Sequence, residues 1–189
     1  MRKITSFLLL VSTACIVGCA ARRTTIFVHP EYDFGLVERV AVVSFENLST
    51  EQGVAGYATR LFMTELLAAQ AFDVVEPGET GRIMRDLNPT RGGELDLESL
   101  RRMRDSLQVQ AVIFGSVGEA AAVQGRGATG HVVSIDARMV DCTTGSTVWS
   151  AAVSTGQPSS VSKMLGTGET SRSDAVQRAV RKLVRSLLE

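Results

Sequence analysis

The segment RVAVVSFENLSTEQGVAGYATRLFMTELLAAQAFDVVEP, residues 39–77, sets the fold class. It opens on Arg39 to Phe45, a continuous apolar run of the kind expected of a strand buried on both faces. From Gly53 to Ala71 the period changes. Val54, Ala58, Leu61, Phe62, Leu66 and Ala69 recur at steps of three and four, one apolar face of a helix. Phe72 to Glu76 reads as a second strand, stopped by Pro77-Gly78. Strands separated by a helix in this way imply parallel pairing.

Toward the C-terminus, Glu79 to Leu87 reads as a short helix closed by Asn88-Pro89, and Arg91-Gly92-Gly93 as a loop. Asp96 to Leu107 is a clearer helix, with Leu97, Leu100, Met103 and Leu107 on one stripe. Val109 to Val117 is a buried strand in which Gly115 signals close backbone approach. His131 to Asp141 alternates, with Val133, Ile135, Ala137 and Met139 opposed to Ser134, Asp136 and Arg138, as in a half-exposed strand. Thr143-Thr144-Gly145 supplies turn chemistry, and Thr147 to Ser154 returns as the hairpin partner. A Ser/Gly/Pro-rich loop follows over residues 155–172. Ser171 and Asp174 then form a capping-box-like start to a final helix. Its Val176, Val180, Leu183 and Leu187 face the core, while Arg178, Arg181, Lys182 and Arg185 face out. The expectation is an α/β (α+β-like) domain with a mixed sheet, in the order β-α-β-α-α-β-β-β-α, and helices packed on the sheet.

Toward the N-terminus, Ile26-Phe27-Val28 reads as a short edge strand ended by Pro30. Before it, Met1-Arg2-Lys3 is a positive n-region and Ile4 to Val17 an apolar run too short for a membrane span but suited to export. Ile16-Val17-Gly18-Cys19 resembles the bacterial lipobox, which implies cleavage between Gly18 and Cys19 and a lipid anchor on the Cys19 thiol. Ala20 in place of Asp resembles the pattern that sorts such proteins to the outer membrane. The alternative is an ordinary signal peptide with an incidental cysteine. The expected organisation is a signal peptide over residues 1–18, a lipidated N-terminus and tether over 19–38, and one domain over 39–189. Such a tether of about twenty residues spans at most roughly 65 Å.

The hydrophobic share of 44% is enough for a real core, and a charged share of 21% argues against wholesale disorder. Lys+Arg and Asp+Glu are each 20, so no global field favours nucleic acid. Removing Arg2 and Lys3 leaves 18 basic against 20 acidic side chains, a slightly acidic mature protein. Of the three cysteines, Cys15 leaves with the signal and Cys19 carries the lipid. Cys142 then has no disulfide partner and reads as a small packed residue.

RVAVVSFENLST with GYATRLFMTELLAAQAFDVVEP, then LQVQAVIFGSV and SIDARMVDCTTGSTVWSAAV, resembles the CsgG family of curli-secretion lipoproteins and their periplasmic relatives. The likeness spans roughly residues 39–154 and the type of the final helix. It implies an exported, non-catalytic α/β domain used for assembly or secretion, with envelope proteins as partners, and it is compatible with a homo-oligomer. LpoB-like lipoproteins, activators of peptidoglycan synthases, share the fold type and supply the alternative reading. They are described by a long tether, which this chain lacks. The pore-forming relatives carry inserted membrane hairpins. A membrane strand needs about 9–11 residues, and the stretch between Gly118 and His131 is too short for a pair.

No catalytic constellation stands out, and no cofactor or metal is expected. Gly125-Arg126-Gly127-Ala128-Thr129-Gly130 fits G-x-G-x-x-G, but a strand follows it where a dinucleotide site needs a helix. His29, Glu31 and Asp33 alternate as metal ligands on one face of an extended strand do, but Pro30 and Tyr32 between them favour a solvated loop. Arg101, Arg102 and Arg104, with Glu98 and Asp105, read as a salt-laced helix face. The outer face of the last helix, Arg178, Arg181, Lys182 and Arg185, is the candidate partner surface, with plain solubility as its competing role.

Overall fold

The apolar run that begins at Arg39 lies in the interior of a seven-stranded sheet, with Val40, Ala41 and Val42 fully buried. The computed structural model describes residues 24–87, 95–125, 128–155 and 171–189, and for residues 123–125, 128 and 129 the backbone only. Cys19, the cleavage position at Gly18, the Arg91-Gly92-Gly93 loop and most of the 155–172 loop lie outside the described residues.

The strands are β1 (Thr24–Val28), β2 (Arg39–Val42), β3 (Glu46–Asn47), β4 (Asp73–Val75), β5 (Ala111–Gly125), β6 (Ala128–Asp141) and β7 (Thr147–Thr155). The helices are α1 (Val54–Ala69), α2 (Pro77–Leu87), α3 (Leu97–Leu107) and α4 (Arg172–Leu188). In space the strands run β1-β7-β6-β5-β2-β4, with β3 also paired to β5. β4, β2, β3 and β5 pair in parallel, whereas β5, β6, β7 and β1 pair antiparallel. This is the expected mixed sheet with four helices packed on it, with β1 and β3 added to the expected element order.

Each face of the sheet has its own core. On one, α1 contributes Ala58, Phe62 and Leu66, and α4 contributes Val176, Val180 and Leu183. They pack on Val40, Ile113, Ile135, Met139, Trp149 and Val153. On the other, Met84 of α2 and Leu100, Met103 and Leu107 of α3 cover Ala41, Val75, Val112, Phe114 and Val140. The helix starts follow from their caps: Asp96 accepts from Ser99 N at 2.7 Å, and Ser171 accepts from Asp174 N at 3.1 Å.

Three expectations need correction. The strand from Arg39 does not run to Phe45; it stops at Val42 and resumes at Glu46, because Val42 pairs with Ile113 but Glu46 with Ser116. One extra residue on the first strand makes a bulge. The bulge turns Phe45 inward, where its N–H donates to Thr59 Oγ1 at 2.9 Å and its ring meets Phe62 at 5.3 Å between centroids. The strand read over Val109 to Val117 runs on beyond Val117 and the one read from His131 begins earlier, since β5 and β6 stay paired from Ala111–Asp141 out to Gly125–Ala128. The edge strand read at Ile26-Phe27-Val28 is present and spans residues 24–28, so this part of the 19–38 tether belongs to the sheet, through five register pairs with β7 from Thr24–Val153 to Val28–Trp149.

Candidate interaction surface

The basic face of α4 forms as the helical period requires, with Arg178, Arg181 and Arg185 exposed and Lys182 half-buried. Part of its charge is already engaged. Arg181 Nε lies 2.8 Å from Glu65 Oε1 on α1, Arg185 lies 3.9 Å from Glu189, and Arg172 at the start of α4 pairs with Glu51. Pairs this exposed contribute little stability, but they reduce the net positive field of the face, and Arg181–Glu65 bridges α4 to α1. Ion pairs bridging residues over a hundred positions apart leave no trace in local sequence.

A second surface is the helix-free part of the sheet. Opposite the α1–α4 core, α2 and α3 reach only as far as Phe114 and Val140. Beyond them, Ser116, Ser134, Asp136, Arg138, Ser150 and Ala152 occupy the outer positions of β5, β6 and β7, and no described helix covers them. Ser116 donates to Asp136 Oδ1 at 2.6 Å, and the Arg138 guanidinium sits 5.3 Å from the centre of the Phe114 ring. Where this face meets α3, a cavity of about 240 Å³ is lined by Leu95, Leu100, Phe114, Arg138, Val140 and Gly145.

The third surface is the open edge at β1. Ile26, Phe27 and Val28 are each about half exposed, at 50%, 47% and 49%. Ile26 pairs with Ala151 and Val28 with Trp149, so both lie on the α1–α4 side, while Phe27 points to the opposite side. Sequence reading identified this strand as an edge but not that apolar side chains emerge on both of its faces. A run of three apolar residues looks the same whether it is covered or open.

Polar side chains elsewhere, some buried and some exposed, serve local structure. Asp141 Oδ1 accepts from Thr143 N, Thr144 N and Thr144 Oγ1, organising the β6–β7 turn, and its Oδ2 accepts from Tyr32 Oη at 3.1 Å. Burial, then the adjacent Asp141 carboxylate, pushes the Tyr32 phenol well above its ordinary range. The neighbouring Cys142 is fully buried, and burial with Asp141 pushes its thiol up to about 12. A thiol so held is protonated and shielded, a packing residue as expected. His29 Nδ1 accepts from Glu31 N and Asp33 Oδ1 from Gly35 N, so both side chains cap local turns. The G-x-G-x-x-G segment spans the β5–β6 hairpin, with Arg126 and Gly127 outside the described residues. Among the described residues no helix is long and apolar enough to cross a membrane.

No family model and no curated protein matches the chain by sequence. Solved structures do match its fold. A PelC L103M dodecamer from Paraburkholderia phytofirmans is similar at 18% identity and TM-score 0.59, over 87% of this chain and 96% of that one. The hypothetical protein CT253 from Chlamydia trachomatis is similar at 11% identity and TM-score 0.57, over 79% and 95% of the two chains. The C-terminal domain of LpoB from Salmonella enterica is similar at 15% identity and TM-score 0.48, over 64% and 83%. At these identities the likeness to PelC and CT253 is one of fold, extending over nearly the whole of both solved chains.

Proposed function

We propose that the chain is an exported lipoprotein, anchored to the outer membrane through Cys19, whose domain is a non-catalytic assembly or secretion accessory in the periplasm. The observation that carries this reading is the distribution of surface that no described helix or strand covers. The edge at Ile26 to Val28 and the helix-free face around Asp136, Arg138 and Ser150 are sites for protein or membrane contact. The polar side chains described above are spent on caps and turns. The resemblance to the CsgG family supports the same class of role, and the fold likeness to PelC, a protein solved as a dodecamer, supports assembly from several copies. A pore built from this chain alone is disfavoured. Beyond the last β6–β7 pair, at Val133–Thr155, the β5–β6 hairpin extends through residues 121–132, short of two spanning strands of about 9–11 residues each.

The alternative, an LpoB-like activator of a peptidoglycan synthase, requires reach away from the anchor. With β1 in the sheet, only four residues lie between Cys19 and the domain, which counts against it. The deciding experiment is fractionation of cells expressing the wild type and Cys19→Ala, with native mass of the wild-type protein in mild detergent. The expected result is acylated, membrane-bound wild type of several copies, and soluble, unacylated Cys19→Ala. Membrane retention of the variant refutes the anchor. A strict monomer that crosslinks to a peptidoglycan synthase favours the alternative.

A further inference from the structure

β1 is at once the first element after the candidate lipidation site and the open edge of the sheet. It pairs with β7 on one side and with no described strand on the other. Proteins ordinarily blunt such an edge with Lys, Pro or a bulge, because an unpaired apolar strand recruits other chains. Thr24-Thr25-Ile26-Phe27-Val28 contains no charge and no proline, and its register with β7 is unbroken. Apolar side chains stand half exposed on both of its faces.

The position of this edge along the chain identifies its occupant. Only Ala20, Ala21, Arg22 and Arg23 lie between Cys19 and Thr24. Even fully extended, five residue steps cover at most roughly 18 Å. An anchor at Cys19 therefore holds β1 within roughly 18 Å of the leaflet surface. Arg22 and Arg23 add two positive charges in that interval, suited to anionic lipid headgroups. Apolar side chains held at such a distance gain from burial at the boundary between headgroups and acyl chains.

We infer that the β1 edge is a membrane-contact element, with Ile26, Phe27 and Val28 seated at the headgroup–acyl boundary of the leaflet that carries the Cys19 lipid. This rests on the lipid-anchor reading. The strand stays at interfacial depth, where water and headgroups can bond its unpaired N–H and C=O groups, since an open edge is not stable in the hydrocarbon core. The domain is thereby oriented: β1 lies against the membrane, and β4, at the far end of the sheet, points away from it.

The test uses the full-length lipidated protein in vesicles of phosphatidylethanolamine and phosphatidylglycerol. Single reporters are introduced as Phe27→Cys and Ile26→Cys, with Thr64→Cys on the exposed face of α1 as control. Cys142 is buried with its thiol pushed up to about 12, and an acylated Cys19 cannot react, so an environment-sensitive fluorophore labels the introduced cysteine. Nitroxide lipids should quench the probes at 26 and 27 several-fold more strongly than the probe at 64, and iodide should show the opposite order. Equal accessibility of all three to iodide overturns the contact. Protection from both quenchers that grows with protein concentration also overturns it, and assigns the edge to a second copy. Intact mass of the same samples separates the premises. Negative quenching with acyl chains present refutes the contact alone, whereas absence of acyl chains refutes the anchor and the contact with it.

Discussion

Gly115→Ala tests the packing on which the two halves of the sheet depend. A Cβ at residue 115 would lie 2.7 Å from both Cε1 and Cζ of Phe45 and 2.9 Å from its Cδ1. Carbon atoms in ordinary contact sit about 3.5–4.0 Å apart, so the ring would have to retreat by roughly 1 Å. It has nowhere to go: Phe45 is 5% exposed, backed by the fully buried Phe62, and tied through its N–H to Thr59 Oγ1. Thr59 is in turn fixed by donating to Ala55 O at 2.8 Å. Overpacking of this kind costs about 1–3 kcal/mol. With a urea m-value of about 1–3 kcal/mol per molar, the unfolding midpoint should fall by roughly 1 M. Phe45→Leu in the Gly115→Ala background should return about 1 kcal/mol relative to the sum of the single changes, the coupling expected of residues in direct contact. A loss below about 0.5 kcal/mol in Gly115→Ala, within the range of neutral surface changes, or strict additivity in the double variant, would refute the argument that this glycine exists to admit the Phe45 ring.

Trp149→Phe should destabilise the domain by about 1–3 kcal/mol, measured by thermal or urea unfolding. It deletes the indole donor to Ser186 O at 3.1 Å, a last-turn carbonyl of α4, at a fully buried site. Cys142 should be inert to aromatic disulfide reagents at pH 8 in the native state and react at once on unfolding. Stability should also fall as pH rises from about 9 toward 12. The folded protein holds the Cys142 proton to about 12 while the unfolded chain releases it near 9.0, so the native state binds more protons across that window and alkali favours unfolding. Tyr32, whose phenol is raised in the same direction, adds to the loss, and Cys142→Ala with Tyr32→Phe should flatten the alkaline limb of the stability curve.

The parts of this fold that were legible in the sequence are those in which one element carries its own signal. The helical stripe at Val54 to Ala69, the alternation from Val133 to Met139, and Gly115 as a point of close approach are properties of contiguous residues. What was missed depends on a partner. The bulge between Val42 and Glu46 is a one-residue offset against β5 and has no meaning until β5 is beside it. The outer ladder of β5 and β6 is rich in Ala and Gly, residues with weak strand preference, and is ordered by pairing that propagates from the buried rungs. At the candidate surfaces, the basic period of α4 was visible, but not its ties to Glu65 and Glu51. The exposure of Phe27 required knowing that no described helix reaches the far rows of the sheet.

The change of strand direction at β5 also sets a schedule for folding. β5, β6 and β7 are sequential neighbours joined by short turns, so their pairing closes small loops. The parallel pairing of Val40 with Ala111 encloses α1, β4, α2 and α3, and Thr24 must wait for Val153. A ribosome delivers the chain from its N-terminus, so β1 is made long before β7, its strand partner among the described residues. Until β7 is complete, the apolar strand Thr24–Val28 has no home in the sheet, and a nascent or truncated chain ending before Thr147 exposes it to chaperones and proteases. Quality control of this protein thus turns on the completion of β7.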